Sequence, residues 1–448
     1  MDDTYNSIPD RLEQLISACM KEGATGADAR IGVSEGVSVA VREGKLESVE
    51  RDESTGIALR CFFGQRQASV SGSDLSAGNI SALAERCVAM AKAAPEDPYC
   101  GLPAAADVLS GDRDLDLRGD PEISPERLEA DALEAEATAL EIEHVKSIAG
   151  CGANWGQTRR WVAASNGFSS YKTGSSSSLG LAVIAENSDG MERDYESRTT
   201  RFLTDRPSAI EIGRTAAERA VARLSPTKVP SQTANVIFDR RVASSLLRPF
   251  VSAISGTSIA RGTSFLKDRL GQQVFGADIN IIDDPVRQMG MGSRKHDGEG
   301  RAVETTHLIE NGVLKSWLLN GPSARQLGLT PNGFAGMGFG NPPGIATSNL
   351  YLQAGELSRD ALMKQAGKGL LVSEMFGPSI NPNTGDYSVG VSGYWFENGE
   401  IEKSVAEVTI AGDLPSMFAR LIPANDLEFR GSTDAPSILI EDMSLAGA

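Results

Sequence analysis

An Asn-Gly pair set between runs of alternating apolar and polar residues leaves a chain little conformational choice. Both turn residues reach a left-handed backbone at small cost, and the flanking runs then pair antiparallel. Asn166-Gly167 stands in this setting between RRWVAAS and FSSYKTG. Glu310-Asn311-Gly312 and Glu397-Asn398-Gly399 repeat it far downstream. Glu43-Gly44 and Ser188-Asp189-Gly190 mark further reversals, in a chain with 47 glycines. A helical bundle would not tolerate this punctuation, so much of the chain must be β structure.

Helical stretches lie between the hairpins. Leu12, Leu15, Ile16, Cys19 and Met20 recur at helical spacing over 8–22, with Ser7 as cap and Pro9 in the first turn. Val37, Val39 and Val41 alternate as a half-buried strand, and Ile57, Leu59, Cys61 and Phe63 as another that breaks at Gly64. A helix over 78–93 closes this unit, and 94–103 reads as a linker. Ser124-Pro125 opens a second helix reaching about His144, read as a surface residue. Strands over 147–203 and a helix over 207–224 complete a middle unit. Its GSSSSLG tract (174–180) reads as a flexible loop or a polar edge strand. The fold class is therefore α+β. N-terminal (1–103) and middle (104–228) α/β-layered units precede a large, mostly antiparallel, β-rich C-terminal domain (229–448).

Charge and composition narrow the function. The formal net charge is −17, whereas nucleic-acid binding depends on Lys and Arg neutralising phosphates. The basic runs, Arg240-Arg241 and Ser293–His296, are short, so direct contact with nucleic acid is not expected. No apolar run approaches the roughly 20 residues of a membrane span, and the acidic start MDDTYNSIPD is unlike a secretory signal. The expected address is the cytoplasm. The five cysteines form no CxxC pair and read as free core or surface thiols. There are three histidines and no HExxH, so a compact His/Cys zinc site is not expected.

Other stretches carry candidate chemistry. GFAGMGFGNPPG (333–344) is glycine-rich, but Asn341-Pro342-Pro343-Gly344 blocks the helix a phosphate cradle needs, leaving a structural or substrate-facing loop. Asp283-Asp284 and Asp297-x-Glu299 could hold a divalent cation or do acid–base work, and are also ordinary turn sequences. No GxSxG is present. Val242, Leu246, Phe250 and Ile254 draw one apolar helical stripe with Pro249 inside it, which predicts a kink or a second helix starting there. In NPNTGDYSVGVSGYWFENGEI (381–401), Thr384, Gly385, Asp386 and Tyr387 form a turn signature. An exposed strand edge there would accept an extended peptide, making these four peptide- or partner-facing candidates. A strand bulged at its glycines is the alternative.

TGDYSVGVSGYWFENGEI followed by SVAEVTIAGDLPSMF resembles the C-terminal signature of the TldD/PmbA family. So do GTSFLKDRLGQQV (262–274), DGEGRAVETTHLIENGVLKSWLLNGPSARQLGL (297–329) and LLVSEMFGPSINPNTGD (370–386). The resemblance is specific over 235–446 and points to the PmbA branch, also called TldE. In the TldD branch the corresponding helix carries an HExxxH zinc motif. Laid on Leu246-Leu247, that motif puts its first His at Arg248, its Glu at Pro249 and its second His at Ala253. The TldD branch also takes a Cys ligand near the C-terminus, where this chain reads RGSTDAPS (430–437).

The resemblance thus implies a chain with no zinc or catalytic residue of its own, paired with a zinc-bearing TldD-like subunit. The family's two-chain peptidase acts on small unfolded peptides in the cytoplasm, including microcin-type leaders and antitoxin-like peptides. The family is also described as a modulator of DNA gyrase. Two other readings stand beside this one: a binding protein acting on gyrase or its inhibitors, and an independent hydrolase using Asp283, Asp284, Asp297 and Glu299. Whether the isolated chain forms a homodimer is left open.

Overall fold

A computed structural model describes residues 7–447; the start MDDTYN lies outside the described residues. Helix α1 (Ile8–Lys21) buries Ile8, Leu12, Leu15 and Cys19, whereas Met20 turns out to solvent. Strands β1 (Gly26–Arg42), β2 (Lys45–Phe63) and β3 (Arg66–Gly72) follow, then helices α2 (Ala77–Ala93) and α3 (Pro125–Leu140). Strands β4 (Val145–Ala164), β5 (Ser169–Asn187) and β6 (Gly190–Thr200) and helix α4 (Ala209–Ala222) complete this half. Ser124 and Ser208 cap α3 and α4 through their side chains. Helix α3 stops at Leu140, short of His144, which enters β4 with a left-handed backbone (φ 71°).

These six strands form one sheet, ordered β3-β2-β1-β4-β5-β6. The β1–β4 ladder, from Asp28↔Ala164 to Val41↔Cys151, carries the sheet across the 103/104 boundary. Odd-numbered residues of β1 point to the helices. Ile31 and Val33 pack with α1 and α2, and Val37, Val39 and Val41 with α3 and α4. The opposite face is left to small and polar residues such as Gly32, Ser34, Gly36 and Ser38. The β1–β2 turn is pinned from below: the backbone N–H groups of Glu43 and Gly44 donate to the buried Glu136 carboxylate at 3.0 and 2.8 Å.

Two expectations about this half change. GSSSSLG is neither a loop nor an edge; it lies inside β5, where Ser177 pairs with Trp155 on one side and Thr200 on the other. Asn166-Gly167 does reverse the chain, but through a four-residue connection, with only Gly167 at positive φ. Asn166 is held by its own side chain, which accepts from the Phe168 N–H and donates to the Pro103 carbonyl. That Asx turn replaces the two-residue turn.

The second half begins with β7 (Gln232–Phe238) and two short helices, α5 (Arg240–Ala243) and α6 (Leu247–Ala253), separated by a 3-10 turn, Ser244–Leu246. The break falls ahead of Pro249. A proline has no N–H for the carbonyl four residues back, here Ser245, and its ring clashes with it. The helix therefore restarts at Leu247, with Pro249 in the first turn. Strands β8 (Ile281–Asp283), β9 (Thr306–Glu310), β10 (Val313–Leu314), β11 (Leu350–Leu352), β12 (Lys368–Ile380), β13 (Asp386–Glu397), β14 (Glu400–Asp413), β15 (Ile422–Pro423), β16 (Thr433–Asp434) and β17 (Ile438–Ala446) follow. Asn311-Gly312 and Asn398-Gly399 both turn with positive φ (49° and 76°; 53° and 82°), as two-residue hairpins require.

One sheet is ordered β10-β9-β8-β11-β16, the other β14-β13-β12-β7-β17-β15. Most pairs are antiparallel; β12–β7 and β11–β16 are parallel. In the larger sheet β17 also pairs with β14, Thr409↔Ala446 to Ala411↔Ser444, so the sheet closes on itself. The core includes Phe250, which meets Phe275 and Phe418 edge-on at centroid distances of 5.4 and 6.2 Å.

Candidate functional site

Helix α6 lies beside a strand with one free edge. β12 pairs with β13 along most of its length, but β7 accompanies it only from Gly369 to Val372. Beyond that point, residues 373–380 have no strand partner on the β7 side among the described residues. Ser245 reaches across to Met375, its Oγ 3.3 Å from Sδ. Two cavities flank α6. One, of about 410 Å³, is lined by Arg248, Pro249, Ala253, Phe265, Ile380 and Pro382, among others. The other, of about 580 Å³, also includes Arg248, together with Val251, Glu374, Phe376 and Thr433. Arg248 belongs to both, so they form one groove along the helix.

All three positions singled out from the sequence therefore line this groove. Arg248 is exposed, while Pro249 and Ala253 are buried. Thr433, from the RGSTDAPS segment, lines the same groove, so fold topology brings together two segments 180 residues apart in the chain. Within that segment the Asp434 carboxylate accepts from the N–H groups of Arg430 and Gly431 at 3.1 and 3.0 Å. Zinc is held by thiolate, imidazole or carboxylate donors. Guanidinium, an imino ring and a methyl group supply none of these, so these residues do not fit the metal. Among the described residues no group of three or more His, Cys, Asp or Glu side chains is placed to hold a metal ion.

The 381–401 stretch is placed differently from the edge reading. β13 is paired on both sides, by β12 and β14, with register shifts at Val391/Gly393 and Trp395/Phe396. The free edge belongs to β12 instead, and no alternation in the sequence marks it, because it arises where β7 ends. Thr384, Gly385 and Asp386 form the β12–β13 turn, where Thr384 Oγ1 and Asp386 Oδ2 are 2.6 Å apart. Tyr387 is a buried core residue whose hydroxyl has no hydrogen-bond partner among the described residues, and burial raises its pKa. None of the four lines the groove.

The carboxylate pairs are bound into the fold. Asp283 accepts from the Ser348 N–H at 2.6 Å. Asp297 Oδ1 accepts from the N–H groups of Glu299 and Arg301, both at 2.9 Å, and Glu299 accepts from the Gly321 N–H. Burial, with Glu299 adding to it, pushes the Asp297 carboxyl from 3.8 up to about 6. The unfolded chain releases this proton near 3.8, whereas the folded chain keeps it to about 6. In that window the folded state binds more protons, so the group's contribution to stability falls as pH rises. The stability of wild type minus that of Asp297→Asn is expected to shrink by about 1–3 kcal/mol from pH 4 to pH 7, read by urea unfolding. An unchanged gap would show that the proton is not retained.

The glycine-rich loop 333–344 reaches the N-terminal sheet. Arg30 of β1 donates to the Gly338 carbonyl. The Phe339 ring sits so close to β2 that a Cβ at Gly56 would meet it at 2.8 Å. All five cysteines are free, four of them buried.

The domain models that match this chain place it in a class of metallopeptidase-type domains. Profiles described as PmbA/TldA metallopeptidase domain 1, central domain and C-terminal domain match residues 27–91, 118–224 and 231–447. Metalloprotease PmbA of Escherichia coli O157:H7 is 34% identical over 97% of this chain and 96% of its own length. A Haemophilus influenzae homologue of PmbA is 35% identical over the same shares. The chain belongs to the PmbA/TldD family. Solved structures agree in fold: a Bacteroides thetaiotaomicron protein provisionally named a modulator of DNA gyrase superposes with a TM-score of 0.91 at 23% identity, covering both chains fully. TldE from Thermococcus kodakarensis superposes at 0.87 and 19% identity, over 98% of this chain and 100% of that one.

Proposed function

We propose that this chain is the metal-free, non-catalytic subunit of a two-chain zinc peptidase, and that its partner is a TldD-like chain carrying the zinc. The observation that carries this reading is the groove along α6. Arg248, Pro249 and Ala253 line it where donors and a base would be needed, and the 430–437 segment beside it has no Cys. The free edge of β12 offers main-chain hydrogen bonds to an extended peptide. The chain would therefore complete a passage for small unfolded peptides, such as microcin-type leaders or antitoxin-like segments, without cutting them. Among the described residues no helix is long and apolar enough to cross a membrane, which fits work in the cytoplasm.

The test is recovery of the chain from its native cytoplasm by an affinity tag, with metal analysis of each co-purified polypeptide. The expected result is a TldD-like chain in equal amount, with the zinc on that chain. The gyrase name of one structural relative motivates a second reading, a binding protein acting on gyrase or its inhibitors. Recovery of gyrase with no TldD-like chain would select it.

A further inference from the structure

A second cavity, of about 570 Å³, lies on the small and polar face of the N-terminal sheet. At one end Arg160 of β4 stands directly opposite Lys172 of β5. Like charges directly opposite across a sheet are destabilising. Among the described residues no acidic side chain forms an ion pair with either of the two. Arg160 is exposed, with no ion pair or hydrogen bond among the described residues. Lys172 donates only to a carbonyl, that of Ser293, at 2.7 Å. The neighbouring arginines and Lys295 add like charge and bring it no counter-ion. Arg201 directs its N–H groups to the carbonyls of Leu117, Ser175, Met289 and Gly290. Arg294 directs its own to those of Gly333, Ala335 and Ala346. Lys295 does pair with Asp112, at 2.6 Å. Burial, with Arg201 and Arg160 adding to it, lowers the Lys172 ammonium to about 8.

The opposite end of the cavity is acidic. Asp52 lines it and pairs in register with Gly36, whereas Arg160 pairs with Gly32, four residues along β1. At about 3.3 Å per residue along β1 and about 4.8 Å per strand across it, the two ends are roughly 16 Å apart, the span of about five extended residues. Between them Ser34, Asn154, Thr158 and Ser176 offer hydrogen bonds. In a chain of net charge −17, this cation pair set in a cavity runs against the overall charge.

We propose that Arg160 and Lys172 form a carboxylate site, which receives the C-terminal carboxylate or an acidic side chain of a peptide lying along this sheet face. That a peptide bears the carboxylate rests on the proposed function; the cation pair does not. The test uses the chain purified alone at low salt, titrated calorimetrically with N-acetyl-tetraalanine as free acid and as C-terminal amide. The free acid is expected to bind about tenfold or more tightly, the size of one charge-assisted hydrogen bond. Arg160→Ala is expected to remove most of that preference, and Arg160→Ala with Lys172→Met all of it. Arg160 has no partner to lose, so folding is not at stake in the first variant. An amidated tetrapeptide with one Glu separates the two sources of carboxylate. Equal affinity for acid and amide, or a preference that survives Arg160→Ala, overturns the site. No partner chain takes part, so that failure would leave the two-chain reading standing. Failure to recover a TldD-like chain would equally leave the carboxylate site standing.

Discussion

Purified without a partner, the chain is expected to retain less than about 0.1 equivalent of zinc, because a zinc site needs about three protein donors. Given excess zinc and an unfolded peptide, it should release no product that a chelator suppresses. Adding a TldD-like chain should raise cleavage by at least about a thousandfold, a modest part of what enzymes achieve. The physical ground is the donor set on the groove. Arg248 is cationic and repels a divalent ion, Pro249 presents only ring carbons, and Ala253 ends at a methyl group. Restoring one donor should not help: Ala253→His supplies a single imidazole and is expected to stay silent. Chelator-sensitive cleavage by the lone chain would refute the division of labour.

The second large effect is on stability. Asp194 of β6 is 3% exposed and holds several elements together. Its carboxylate accepts from Arg241 of α5 at 2.7 and 3.3 Å, and from the Tyr195 N–H at 2.6 Å. Arg223, just past α4, approaches it to 3.6 Å and also pairs with Glu374 of β12. This one side chain therefore joins the N-terminal sheet to the closed sheet. Asp194→Ala leaves two largely buried guanidinium groups short of an anion, and breaking a buried pair from one side costs about 3–5 kcal/mol. A loss of that size in chemical denaturation is expected. Asp194→Asn should fall in between, since an amide oxygen accepts a hydrogen bond but carries no charge. A change below about 1 kcal/mol, the value of an exposed pair, would mean that solvent already screens the network.

What the sequence disclosed follows from how local each signal is. Hairpin positions, the helix opened by Ser124-Pro125, and the apolar faces of α1 and β1 depend on neighbours within a few residues. Each of these was legible. The α6 break was legible too, because a proline acts on the carbonyl four residues back. The open edge of β12 was not legible: it exists only because β7 ends at Phe238 and turns into α5. The burial of Tyr387 was hidden for the same kind of reason, since it depends on strands that arrive from elsewhere in the chain. The three degenerate positions were found through family resemblance, not spacing. The pairing of Arg160 with Lys172 was not legible, since a two-residue Asn166-Gly167 turn would set Arg160 opposite Thr173, and the missing counter-ion could not be read either.

Strand β7 is made early yet stands in the middle of the closed sheet, between neighbours drawn from Gly369–Val372 and Ile438–Leu445. Loop-closure entropy must be met before such distant pairings reward it, which makes this kind of topology slow to assemble. On a ribosome, Val236, Ile237 and Phe238 therefore wait unpaired until β12 is made, about 130 residues later, and lack their second neighbour until β17, about 200 residues on. Nascent copies of this polypeptide pass through a long interval in which a sticky segment has no native mate, so productive maturation depends on how well that interval is shielded.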